Sequence, residues 1–131
     1  MKIANSAEVD AVWPLIGERF NEAFRRCGDD LTGGELWQLC RSGNAFLVLN
    51  MAEEINLACV VRFERWADGT VLRVLSLIGD DVNSWAEPIA DFLTEMARLG
   101  GASRIVADGR GGWERIFSKP KVLRRTYMME I

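Results

Sequence analysis

The sequence predicts an α/β fold: one domain with a mixed β-sheet, an antiparallel meander plus a parallel pair joined by a crossover helix, and helices on both faces. Three observations carry this. Apolar residues recur at three- and four-residue steps up to Cys40, then give way to strand-like runs from Asn44 onward. The pair Asp68-Gly69 stands between two of those runs and supplies the positive φ of a hairpin turn. The last of the long runs feeds an amphipathic helix and then a short strand, the signature of a right-handed parallel crossover.

Taken in order, residues 2–4 suit a short first strand. "NSAEVDAVWPLIGERFNEAFRRCGDD" places Val9, Val12, Ile16, Phe20 and Phe24 on one helical face. Asn5 and Glu8 fit a capping box, and Gly28 a C-terminal stop. Pro14 removes a donor inside this helix and predicts a kink or two short helices. "LTGGELWQLCRSG" gives a second helix from about Gly34 to Ser42, capped near Thr32 or Gly33. "NAFLVLNM", "INLACVVRFERW" and "TVLRVLSLIG" follow as the three strands of the meander. In "SWAEPIADFLTEMARLGG", Ile89, Phe92, Leu93, Met96 and Leu99 line one face, and Gly100-Gly101 ends the helix. "SRIVAD" is a short strand, "GGWERIFSK" a short helix and "KVLRRTYMMEI" a final strand.

Composition narrows the chemistry. The 131 residues suit one domain with a sizeable core, and a net charge of −3 gives no pull towards nucleic acid or an anionic membrane. There is no histidine, which excludes a His-based triad and the usual zinc sites. No group of acidic residues has metal-ligand spacing, so no metal is expected. Cys27, Cys40 and Cys59 lack CxxC spacing and read as reduced thiols. "MKIANSAEVD" lacks a signal-peptide core, and no run approaches the roughly 18 apolar residues of a membrane span. A cytoplasmic location is therefore expected. Five tryptophans exceed what a core of this size takes, so Trp66, Trp85 and Trp113 are expected at an interface with a partner or a second copy.

The element order, with the closing stretch "GGASRIVADGRGGWERIF…VLRRTYMMEI", resembles the GNAT acyltransferases. The closing stretch is similar to that family's fifth strand, fourth helix and last strand. More narrowly, the whole chain resembles the small GNAT-like proteins of tailed bacteriophages and prophages. The resemblance implies an acyl-CoA cleft where the fourth and fifth strands part, with a pyrophosphate on the amides that open the third helix. It also implies a tyrosine acid on the fourth helix.

Here the matching loop reads "IGDDVNSWAEP", without the family's paired glycines or its arginine or glutamine. Asp80 and Asp81 would each oppose a pyrophosphate by about 1 kcal/mol at an exposed distance of ~4 Å. Ser84 and Glu87 suggest that the helix caps itself, and Pro88 removes an amide. "GGWERIFSK" has no tyrosine, and Tyr127, the only one, belongs to the last strand. The expectation is thus a catalytically degenerate phage or prophage protein that needs no cofactor and acts through protein contacts, with no nucleic-acid partner. The alternative is an acyl-CoA-dependent N-acetyltransferase. In it, acetyl-CoA or CoA lies on backbone groups of Leu77, Ile78 and Gly79, and Glu64 takes a proton through water. Arg110, in "DGRGGW", is a third candidate, as a contact for an anionic ligand. Lys119, Lys121, Arg124 and Arg125 read as a solvated basic face.

Overall fold

The computed structural model describes residues 1–109 and 111–131, so Arg110 lies outside the described residues. The chain opens with strand β1 (Lys2–Ile3), helix α1 (Ser6–Arg26) and helix α2 (Gly33–Arg41). Strands β2 (Phe46–Met51), β3 (Ile55–Trp66) and β4 (Gly69–Gly79) come next, then helix α3 (Val82–Leu99), strand β5 (Arg104–Ala107) and a 3-10 helix (Gly111–Arg115). The sheet runs in the order β1-β2-β3-β4-β5, antiparallel except for the parallel β4–β5 pair that α3 connects.

Local signals decide the helix boundaries. Asn5 and Glu8 form the expected capping box, with Asn5 Oδ1 accepting from the Glu8 amide and Glu8 Oε1 from the Asn5 amide. Thr32 caps α2 through its hydroxyl, which accepts from the Glu35 amide at 3.1 Å. Pro14 does not divide the first helix: α1 runs through it without a break, and Pro14 lies on the exposed side. Packing of Val9, Ile16, Phe20 and Phe24 on both sides of the proline outweighs one missing hydrogen bond.

Alternation along β2 and β3 divides the core in two. Leu47, Leu49, Ala58 and Val60 meet α1 and α2, while Val48, Leu57, Cys59 and Val61 meet Ile89 and Leu93 of α3. On α3 the buried stripe is Trp85, Ile89, Leu93 and Ala97. Phe92 and Met96 are half-buried at its flank, and Leu99, expected on the inner face, is 80% exposed. The stripe steps by four from Trp85, which carries it away from Leu99.

Two expectations fail at the ends of α3 and of the chain. Trp85, expected at an interface, is only 4% exposed. It fits because Gly79 has no side chain: a Cβ there would come within 2.8 Å of the indole and 2.9 Å of the Asn56 carbonyl oxygen. The indole Nε1 donates to the Asp80 carbonyl at 2.7 Å, which satisfies its polar atom. The final strand is also absent. Residues 118–131 carry no regular structure, and Tyr127, Met128 and Met129 are about four-fifths exposed.

No helix among the described residues is long and apolar enough to cross a membrane. Leu93→Ala is expected to lower stability by about 2–5 kcal/mol, and Phe92→Ala by less than Leu93→Ala. Urea unfolding of the two variants checks the order; the reverse order would misplace the buried stripe.

Candidate functional site

The site begins with a bulge. Val61 pairs with Val74 and Val60 with Ser76, so Leu75 has no opposite number on β3. An extra residue bends its strand and sharpens the local twist. On the other side, β5 pairs with β4 only from Val71↔Arg104 to Val74↔Ala107. Parallel pairing therefore stops at the bulge, and residues 75–79 overhang β5 for about 16 Å at strand rise. Their outward backbone groups have no ladder partner on that side. The resulting cleft is bounded by Leu75 and Leu77, by Val82 and Asn83 of α3, by Asp108, and by Trp113 of the 3-10 helix. It opens into a larger cavity of about 2680 Å³ that Ala23 and Phe24 of α1 and the C-terminal residues also line.

The entry to α3 differs from the self-capped form expected. Asp81 is the N-cap residue, in the left-handed region at φ 56°, and no side chain caps the helix. Ser84 instead donates its hydroxyl to the Asp81 carbonyl at 2.7 Å, and Glu87 takes no part. Pro88 stands in the helix interior, past the first turn, so the amide it lacks is not one that an N-terminal anion would meet. The two acids are also unequal. Asp80 pairs with Arg19 of α1 at 3.1 Å, whereas Asp81 has no cationic partner among the described residues. Arg115 of the 3-10 helix donates to Asn83 Oδ1 at 3.2 Å, which brings a guanidinium to the first turn of α3.

A second polar group lies on the α1/α2 side of the sheet, beyond the part those helices cover. Glu64 accepts from Arg62 Nε at 2.7 Å and Trp66 Nε1 at 3.1 Å. Arg73 Nε approaches Oε1, the oxygen that accepts from Trp66, at 3.1 Å but out of line for a hydrogen bond, so that contact is ionic. Arg73 also donates to Asp108 at 2.8 Å and so ties β4 to the end of β5. Burial pushes the Glu64 carboxyl up, but the hydrogen bonds from Arg62 and Trp66 and the charges of Arg73 and Arg62 outweigh it and hold the group below its usual value. The Trp66 indole carries three guanidinium groups, those of Arg104 at 5.2 Å, Arg124 at 5.5 Å and Arg73 at 5.8 Å.

No family model matches the sequence, and no curated protein does. Solved structures do match, over nearly the whole chain. One is a probable acetyltransferase, with a TM-score of 0.71 at 16% identity, covering 100% of this chain and 98% of that one. Another is the ribosomal-protein-alanine N-acetyltransferase of Brucella melitensis biovar Abortus 2308, with a TM-score of 0.71 at 10% identity over 99% and 98% of the two chains. A third is the aminoglycoside acetyltransferase HMB0005 from an uncultured soil metagenomic sample, with a TM-score of 0.68 at 16% identity over 99% and 95%.

The fold is that of the GNAT acetyltransferases. Within this GNAT-like frame the sequence-predicted residues scatter. Of Leu77, Ile78 and Gly79, Leu77 lines the cleft; Ile78 packs into the α1/α2 core and Gly79 lies under Trp85. Leu75 replaces them as the start of the free edge. Glu64 and Trp66 share one network, and Trp113 lies tilted against Phe117, ring centres 5.1 Å apart, beside the cleft. Cys40 and Cys59 are buried, and burial pushes the Cys40 thiol up to about 11, so neither offers a thiolate. Sequence reasoning missed Arg19, Arg73 and Arg115. Arg73 alone had a visible signal, as the one charge inside "TVLRVLSLIG".

Because Glu64 is held below its unfolded value of 4.5, its contribution to stability is present above that pH and is lost as pH falls through the folded value. Glu64→Gln is expected to melt lower than the natural protein at pH 7, with the gap narrowing below about pH 4.5. Melting curves across pH 3–7 check this, and a gap independent of pH would remove Glu64 from the network.

Proposed function

We propose that the protein is a catalytically degenerate GNAT-fold protein that works through protein contacts, as a virion-associated or accessory component of a tailed phage or prophage. The observation that carries the degenerate reading is the entry to α3, where the Asp81 carboxylate, without a cationic partner among the described residues, stands at the place that the GNAT resemblance implies for a pyrophosphate. Two further features support it. The 3-10 helix offers Trp113 and Phe117, neither of which donates a proton to a departing thiolate at neutral pH. Glu64 has its oxygens engaged by two donors and a guanidinium and is held ionised, which weakens it as a general base. The residues of the cleft thus fit an acyl-CoA poorly. The phage setting, and with it a place in the host cytoplasm or the virion, follows from the resemblance of the whole chain to phage GNAT-like proteins.

The second reading, an acyl-CoA-dependent N-acetyltransferase, is favoured by a specific set of observations. The overhanging edge at Leu75–Leu77 leaves backbone groups for an extended amide-bearing arm. The amides of the first turn of α3 have no side-chain cap, Arg19 neutralises Asp80, and Arg115 reaches that turn. Those groups would hold acetyl-CoA, whose thioester would supply the acyl group. The acceptor amine would lose its proton to water ordered near Glu64.

Acetyl-CoA at millimolar concentration is expected to move the melting temperature by less than about one degree, since a ligand stabilises only in proportion to ln(1 + [L]/Kd). Calorimetric titration is the companion measurement. A saturable micromolar dissociation constant would replace the first reading with the second.

A further inference from the structure

Basic residues gather on one side of a chain whose net charge is −3. Among the described residues, the large cavity is lined by ten lysines and arginines and five acids, whereas the whole chain has sixteen and nineteen. The rest of the molecule is therefore strongly acidic. The densest part of the basic wall is the sheet face that α1 and α2 leave bare, around Trp66. Arg104, Arg124 and Arg73 stand over its ring at 5.2, 5.5 and 5.8 Å. Arg62 and Arg73 are direct cross-strand partners, a like-charge pair that costs stability, and Glu64 bridges them. Asp108 answers Arg73 and Asp68 answers Arg104, whereas Arg124 has no carboxylate partner among the described residues. Arg62, Arg73 and Arg104 each donate one hydrogen bond to a carboxylate, which leaves most of each guanidinium's N–H donors unused. In the sequence Arg124 belongs to a solvated basic run; the fold brings that run to the same wall as the strand arginines.

We propose that this face docks an acidic segment of a partner protein, with carboxylates on Arg62, Arg104 and Arg124 and the Trp66 ring at the centre of the contact. This rests on the reading that the protein works through contacts, and it names the chemistry of the partner. Arginine forks match carboxylates two bonds at a time, and Trp and Arg are the side chains that most often anchor protein interfaces. The Arg62 and Arg104 side chains are 36% and 39% exposed, so both can reach a ligand without leaving the sheet face. Two other anions fit less well. The resemblance puts an acyl-CoA pyrophosphate at the α3 entry, and Gly69, the partner of Trp66, is about 33 Å along β4 from Gly79. A nucleic acid long enough to leave the cavity would meet the acidic remainder of the molecule. A short acidic segment meets only the basic wall.

The test is fluorescence anisotropy of fluorescein-labelled decaglutamate with the full chain at low salt. Saturable micromolar binding is expected, weakening as added salt screens the charges. Arg104→Glu/Arg124→Glu is expected to raise the dissociation constant at least about tenfold. Arg25→Glu/Arg65→Glu makes the same charge change on residues that do not line the cavity, and is expected to change it less than about threefold. Binding absent up to hundreds of micromolar, or lost equally in both double variants, would overturn the proposal. So would tighter binding of a labelled oligothymidylate, which would make the surface one for nucleic acid. Self-association that the Arg104→Glu/Arg124→Glu variant abolishes would overturn it too, by making the partner a second copy. Melting curves check that both variants fold. If the first does not, Arg124→Gln replaces it, since Arg124 has no ion pair to lose, with an expected loss of about threefold. Acetyl-CoA titrated into the same samples keeps the two readings apart: tight acetyl-CoA binding with the peptide still held overturns the degenerate function and leaves the docking surface standing.

Discussion

At Leu75 the central strand takes one residue more than its neighbour, and the shape of the protein follows from that mismatch. Strict alternation would send Ile78 to the α3 side together with Leu72 and Val74. The extra residue reverses the phase beyond Leu75, so Ile78 joins Leu75 in the α1/α2 core and Leu77 turns to α3. The strand then bends away at the point where β5 ends, and the two events open one cleft. Without the bulge, β4 would continue flat beside the turn after β5, and α3 would start against a closed edge. The reversal also sets the position of Gly79 relative to α3, and the bare backbone there is what admits the Trp85 ring. A buried tryptophan consequently closes the floor of the loop that carries Asp80 and Asp81.

The same geometry explains how charge is distributed around the cleft. Asp80 is drawn to Arg19, a residue of α1 that meets the loop only because the phase change brings the end of β4 onto the α1/α2 side. Asp108, at the end of β5, is drawn to Arg73, one residue before the strands stop pairing. Exposed pairs of this kind contribute little stability, of order 0–1 kcal/mol each. Their consequence lies in the field: they compensate Asp80 and Asp108 and leave Asp81 as the carboxylate at the helix entry without a cation among the described residues. At the helix entry itself, the charge opposing an anion is therefore that of one carboxylate rather than of an acid pair.

Much of the fold was legible because it rests on short-range rules. The capping box at Asn5 and Glu8, the Asp68-Gly69 hairpin and the crossover from β4 to β5 each need only a few neighbouring residues to be recognised. The bulge was not legible, since register belongs to two strands and one strand's sequence does not contain it. For that reason the free edge was expected at Leu77 to Gly79 and lies from Leu75. Trp85 was misread as a surface residue because burial of an indole depends on a space made elsewhere, here by Gly79. Glu64 was found, but its neighbours Arg62 and Trp66, two residues away on either side, already implied a carboxylate with its acceptors taken.

The last strand is the instructive failure. Alternation in "KVLRRTYMMEI" reports that the segment is able to be a strand, because it has a dry face and a wetter one. Whether it becomes one depends on an edge of matching length, and β5 supplies four residues. A strand-competent segment without an edge leaves unpaired amides and apolar side chains facing water, the condition that proteins ordinarily avoid at sheet margins. Charge does not protect this one: Arg124 is occupied on Trp66, and between Tyr127 and Ile131 there is only Glu130. The segment thus has the pattern of a strand and no edge of matching length in its own sheet, which is why local alternation alone did not decide its structure.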